Sequence, residues 1–141
     1  MIQTLVVTAN HHTREQLATL LHKEIDIHLL DETIGGQALF ATTGHKIPDV
    51  ALIDLELPDR AGWPVSRQLQ TTYPGIKILV LCLSVDEAIF SDLLSNGVLG
   101  CLTYSCTGTE LQTAIRAAYR GSHYLCAEAQ ELLIKGCLAR I

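Results

Sequence analysis

Four consecutive apolar residues, Val50, Ala51, Leu52 and Ile53, bracketed by Asp49 and Asp54, most constrain how this chain can fold. A strand with one wet face alternates polar and apolar residues, whereas an unbroken apolar run suits a strand covered on both faces, as in a parallel sheet. Further strands are read at residues 5–7, 25–30, 78–81 and 99–103, each followed by helical spacing. The first helix is expected to start near Thr13 as N-cap, with Leu17, Leu20 and Leu21 inward. Gly35 and Gly36 loosen the start of a weaker helix over 37–43. A third passes through Val65 and Leu69, with Pro64 tolerated in its first turn, where an N–H has no helical partner. The fourth, over 85–95, stops at Asn96 and Gly97. The fifth is capped by Thr107 or Thr109 and turns Leu111, Ile115 and Ala118 inward. Five strands each followed by a helix predict an α/β fold, a doubly wound five-stranded parallel sheet. After Gly121 an extra C-terminal helix is expected, with Tyr124, Leu125, Ala129, Leu132, Leu133 and Leu138 as its apolar stripe.

Composition narrows the class. A length of 141 residues suits one domain, and 48% hydrophobic against 18% charged residues argues against disorder. A net charge of −5 argues against a nucleic-acid surface as the main feature. No apolar run reaches membrane-span length, and the first ten residues lack the basic start of a secretion signal. Five dispersed cysteines (82, 101, 106, 126, 137) without a C-x-x-C pair fit no disulfide framework, so a reducing cytoplasm is the expected location.

In such a sheet ligands collect beyond the carboxyl ends of the strands. That places residues 8–12, 54–58, 82–84 and 103–106 at the candidate site, with Asp54 the most informative. Read alone, a strand-terminal Asp is as often a turn former. The segment from Pro48 to Gly62, with Leu55, Glu56, Leu57 and Pro58 after Asp54, resembles the phosphoacceptor region of two-component response regulator receiver domains. Leu79-Val80-Leu81, Asn96-Gly97-Val98-Leu99-Gly100 and the stretch from Glu110 to Gly121 fit later segments of that family. The likeness is greatest to receivers that precede a LuxR-like helix-turn-helix.

The resemblance implies a flavodoxin-like receiver fold over 1–121 and a linker-like helix over 122–141, with any DNA contact made by a domain outside this chain. It implies a signalling module in a phosphorelay or a transcription regulator, not an enzyme, with a histidine kinase as a possible partner. It puts Asp54 at the phosphoacceptor position, Thr8 and Ala9 at the metal-binding acidic pair, Cys82 at a hydroxyl position, Tyr104 at a lysine and Cys101 at a switch aromatic. No Asp or Glu occurs in the first 14 residues. Mg²⁺ needs oxygen ligands, usually carboxylates, and phosphoryl transfer needs positive charge at the acceptor. A thiol is a weak donor and a phenol carries no charge. The expectation is therefore an atypical receiver that works by protein–protein association, with no metal and no cofactor. The alternatives are a phosphorylatable receiver using Asp54 with an incomplete metal site, and a sensor of small anions held by Thr8, Asn10 and Thr13 at a helix N-terminus.

Association, as a homodimer or with a partner regulator, is expected through residues 84–95, 99–103 and 110–120, where Ile89, Phe90, Leu93, Ile115 and Tyr119 supply apolar material. Adjacent His11 and His12 point apart and make a poor metal pair. Cys82 and Cys106 follow neighbouring strands, yet no basic residue adjoins either to activate it, and buried apolar thiols are the expectation.

Overall fold

The computed structural model describes residues 1–30 and 47–139; the helix expected at 37–43 lies outside them. Described elements run β1 (Ile2–Val7), α1 (His11–Leu21), β2 (Ile27–Leu29), β3 (Val50–Asp54), a 3₁₀ turn (Pro58–Arg60), α2 (Gly62–Thr72), β4 (Lys77–Cys82), α3 (Glu87–Ser95), β5 (Gly100–Thr103), α4 (Gly108–Tyr119), β6 (Tyr124–Leu125) and α5 (Ala127–Ala139). All pairings are parallel, in the order β2-β1-β3-β4-β5-β6. The chain thus leaves β1 for one edge and returns to its other side at β3, so the carboxyl ends of β1 and β3 flank the reversal where a ligand crevice opens.

The apolar strand is covered on both faces as its composition demands. Leu52 faces Val6, Leu79, Leu102 and Ile115 in one apolar layer; Ala51 and Ile53 face Leu5, Val65, Leu69 and Val80 in the other. Each fully buried Leu or Ile in these layers contributes roughly 2 kcal/mol of transfer free energy. Helix starts follow their side chains. Asn10, not Thr13, caps α1, its side chain accepting from the Thr13 N–H at 3.1 Å. Asp86 caps α3, and Thr107 closes a capping box with Glu110 on α4. Such caps are worth about 1 kcal/mol each.

Two further expectations are corrected. The sheet has a sixth strand, because Tyr124 and Leu125 pair with Gly100 and Cys101 instead of beginning the last helix. On the proposed association face, Leu93 (3% exposed) and Ile115 (0%) point into the core. Leu94 (67%) and Tyr119 (48%) are the apolar side chains facing outward there, while Ile89 and Phe90 are half-buried against the core.

Candidate functional site

Three strand ends converge on one carboxylate. β3 ends in Asp54, 4% exposed; β1 delivers Thr8, fully buried; and Tyr104 follows β5. The Thr8 hydroxyl donates to Asp54 Oδ2 at 2.6 Å, and the Glu56 N–H donates to Oδ1 at 2.9 Å. The Tyr104 hydroxyl also donates to Oδ1. Thr8 Oγ1 in turn accepts from the Asn10 N–H at 3.1 Å. Both oxygens of the acid are therefore engaged by neutral protein donors, which stabilise a buried carboxylate with no counter-ion in contact among the described residues. Above it opens a cleft of about 680 Å³ with Ala9, Asn10, Thr13 and Glu56 at its rim.

The other expected positions divide. Cys82 donates to the Leu102 carbonyl at 3.6 Å and belongs to the apolar core, so it offers nothing to Asp54. Burial, with Cys126 and nearby acids adding to it, pushes its thiol up to about 12. Cys101 is fully buried and its sulfur lies 3.6 Å from that of Cys126. In the anion set, Thr8 is withdrawn, since its hydroxyl hydrogen goes to Asp54 and it is closed to the cleft. The Asn10 oxygen is committed to the Thr13 N–H, so the helix end is capped from within. His11 also lines the cleft, its Nε2 lying 2.9 Å from Glu15 Oε1.

Arg14 was missed in the sequence. It is 4% exposed and its Nη2 donates to the Thr8 carbonyl at 2.9 Å, fixing the end of β1 beside Asp54. A signal existed: positions 14, 17 and 21 share one helical stripe, and the other two are buried leucines. Past Asp54, Asp59 and Arg60 both hold left-handed backbone (φ 58° and 54°), an uncommon state for residues with a Cβ.

Receivers of the kind resembled use Mg²⁺, and the donor set does not fit it. The ion needs several free oxygens, whereas here one buried carboxylate is already bonded through both oxygens and the only other acid at the rim among the described residues, Glu56, is exposed. Among the described residues no group of three or more His, Cys, Asp or Glu side chains is placed to hold a metal ion.

Burial first, then the bond to Asp54 and the neighbouring acids, raises the Tyr104 phenol above its ordinary 10.0, so it remains a donor throughout the neutral range. Tyr104 and Cys82 are both raised in the fold. The native protein therefore keeps protons that the unfolded chain sheds, and the stability they confer is complete below about pH 9 and falls as pH rises from there toward 12. Urea midpoints should be lower at about pH 11 than at about pH 8, and Tyr104→Phe should shrink that difference. An equal loss in wild type and variant would remove Tyr104 from the account.

A family model described as the response regulator receiver domain matches residues 4–116. Response regulator GacA of Pseudomonas viridiflava is 26% identical over 136 residues, covering 96% of this chain and 64% of that protein. Oxygen regulatory protein NreC of Staphylococcus carnosus is 27% identical over 123 residues, covering 85% and 57%. The chain thus spans about 57–64% of the length of these curated relatives. Among solved structures, the isolated REC domain of RcsB from Salmonella enterica serovar Typhimurium with phosphomimetic BeF3⁻ superposes with a TM-score of 0.80 at 18% identity, covering 93% and 97% of the two chains. The signal receiver domain of the response regulator NarL from Mycobacterium tuberculosis gives 0.75 at 23% identity, covering 85% and 97%.

Proposed function

The chain belongs to the response regulator receiver domain family, and from that premise we propose that it is an atypical receiver that signals by associating with another protein and does not depend on Mg²⁺-assisted phosphorylation of Asp54. One observation carries the reading: the Asp54 carboxylate is satisfied by Thr8, Glu56 and Tyr104 within the fold. Phosphoryl transfer asks for a free nucleophilic oxygen and positive charge around the incoming group. Here attack requires breaking bonds in a buried site, and among the described residues the cleft offers a phosphoryl group Tyr104, Thr13, Asn10, His11 and Glu56 but no lysine or arginine.

The occupant proposed for the association face is a second copy of this chain, through the outward side chains of α3 and α4, Leu94 and Tyr119. Two RcsB dimers bound to DNA are among the structures sharing this fold. The role is regulatory and non-enzymatic, in the cytoplasm, with DNA reached only through a further domain. Among the described residues no helix is long and apolar enough to cross a membrane. The open cleft above Asp54 favours the second reading, a receiver phosphorylated at Asp54 with an incomplete metal site.

Incubation with Mg²⁺ and acetyl phosphate, or with beryllofluoride, separates the two. The expected result is unchanged intact mass, sedimentation and fluorescence of Trp63, the single tryptophan, in the first turn of α2. A phosphoryl adduct abolished by Asp54→Asn, accompanied by altered association, would overturn the atypical reading.

A further inference from the structure

The β5–β6 edge brings two thiols together where nothing in the Asp54 site uses them. Cys101 lies on β5, fully buried, and Cys126 stands between β6 and α5 at 7% exposure, their sulfurs 3.6 Å apart. The approach is imposed by the backbone: Gly100 pairs with Tyr124 so closely that a Cβ on Gly100 would sit 2.0 Å from the Tyr124 carbonyl oxygen. From this geometry we propose that Cys101 and Cys126 form a peroxide-oxidisable dithiol whose disulfide staples the start of α5 to the sheet.

Each sulfur has a distinct part. Cys126 immediately precedes α5, and its sulfur is hydrogen-bonded to that of Cys101 at 3.6 Å, a contact in which either thiol can donate. With Cys101 donating, and the backbone at the start of α5 adding to it, the Cys126 thiol is held below the usual range against the opposing effects of burial and of the Glu128 carboxylate. Cys101, as the donor in the pair and buried, is pushed up. This is the division of a nucleophilic thiolate at a helix start beside a resolving thiol. Cys82 is the contrast within the same core cluster: its thiol donates to the Leu102 carbonyl.

The chemistry balances with hydrogen peroxide as oxidant. The Cys126 thiolate attacks one peroxide oxygen, the O–O bond breaks, and a sulfenic acid forms as hydroxide leaves. The Cys101 sulfur then attacks the Cys126 sulfur, the S–O bond breaks, and the second hydroxide leaves. With the two thiol protons the products are one disulfide and two waters, two electrons having passed from the sulfurs to peroxide. Small size favours this oxidant, because 7% exposure at Cys126 leaves little room for the in-line approach of a bulky disulfide. The sulfurs have to close from 3.6 Å to about 2.05 Å, a movement available to side-chain rotation at the end of a two-residue strand.

The test treats the full chain with hydrogen peroxide and reads intact mass, peptide maps and melting temperature. Wild type should lose two hydrogen atoms, yield a linked peptide pair containing residues 101 and 126, and melt about 10 °C higher until a reducing agent reverses it. Cys126→Ser keeps a good helix cap, so it should fold like the wild type and show neither change. Cys101→Ala, lacking the resolving thiol, should instead accumulate oxygen on Cys126. A link through other cysteines, oxygen added to wild-type Cys126 without loss of two hydrogens, or a pair that stays reduced in peroxide would each overturn the proposal. None of these readouts involves Asp54, so failure here and failure of the atypical-receiver reading are independent.

Discussion

Thr8→Asp should lose about 3 kcal/mol of stability in metal-free buffer and recover most of it on addition of Mg²⁺, while the wild type melts at the same temperature with or without the ion. The Thr8 hydroxyl is buried 2.6 Å from Asp54 Oδ2, so a carboxylate there faces a second carboxylate at contact distance. Two unit charges 4 Å apart repel by about 4 kcal/mol at an effective dielectric of 20, and the pair avoids this by keeping one proton. Each unit by which that pKa is raised is about 1.4 kcal/mol, and two units or so give the stated loss at neutral pH. The sign of the pH dependence follows. A raised carboxyl binds more protons in the native than in the unfolded state, so without metal the variant becomes more stable as pH falls from 7 toward 5. Mg²⁺ reverses the penalty by neutralising both charges with the hard oxygen ligands it prefers. The substitution also restores an acid at the position that the family resemblance assigns to the metal-binding pair. A variant as stable as wild type and indifferent to Mg²⁺ would mean that position 8 does not face Asp54 as described.

The sequence made the frame legible because the frame is hydrophobic. Residues 50–53 could be placed in a doubly covered strand from their composition, and Asp54 at its end, since a buried parallel strand tolerates little else. Three features were illegible for identifiable reasons. Tyr124 and Leu125 form a strand of two residues, too short for any period to distinguish it from the helix that follows. Along α3 the apolar residues Ile89, Phe90, Leu93 and Leu94 span a stripe wider than either face requires, so spacing alone could not tell that Leu93 turns inward and Leu94 outward. The closure of Asp54 by Thr8 and Tyr104 joins residues 46 and 50 positions away, and its polar side chains leave no periodic trace. The resemblance names those positions, but that their side chains occupy the oxygens a metal or phosphoryl group would need is a property of the folded site alone.

Gly100→Ala should lower stability by about 3 kcal/mol, and most of the damage should fall at one edge of the molecule. A Cβ on Gly100 meets three backbone atoms of Tyr124: the oxygen at 2.0 Å, the carbonyl carbon at 2.9 Å and the nitrogen at 3.1 Å. No flexible side chain can turn aside, so β6 has to move as a unit. With it go the Tyr124 N–H bond to the Leu99 carbonyl (3.0 Å), the buried Cys126 and Ala129, and the Glu128 carboxylate that accepts from the Val85 N–H at 2.8 Å. That last bond ties α5 to the loop between β4 and α3, on the rim of the site, so strain at Gly100 reaches the loop through the helix. The melting temperature should fall by roughly 10 °C, and amide exchange should quicken at Val85 and Tyr124 while Ala51, Leu52 and Ile53 in β3 keep more of their protection. Gly75→Ala is the matched control: nothing lies within 4 Å of its added Cβ, and stability should stay within about 0.5 kcal/mol of wild type. If Gly100→Ala behaved like Gly75→Ala, β6 would not be seated on β5 as described, and both the α5 contact and the thiol pair that depend on that seating would fall with it.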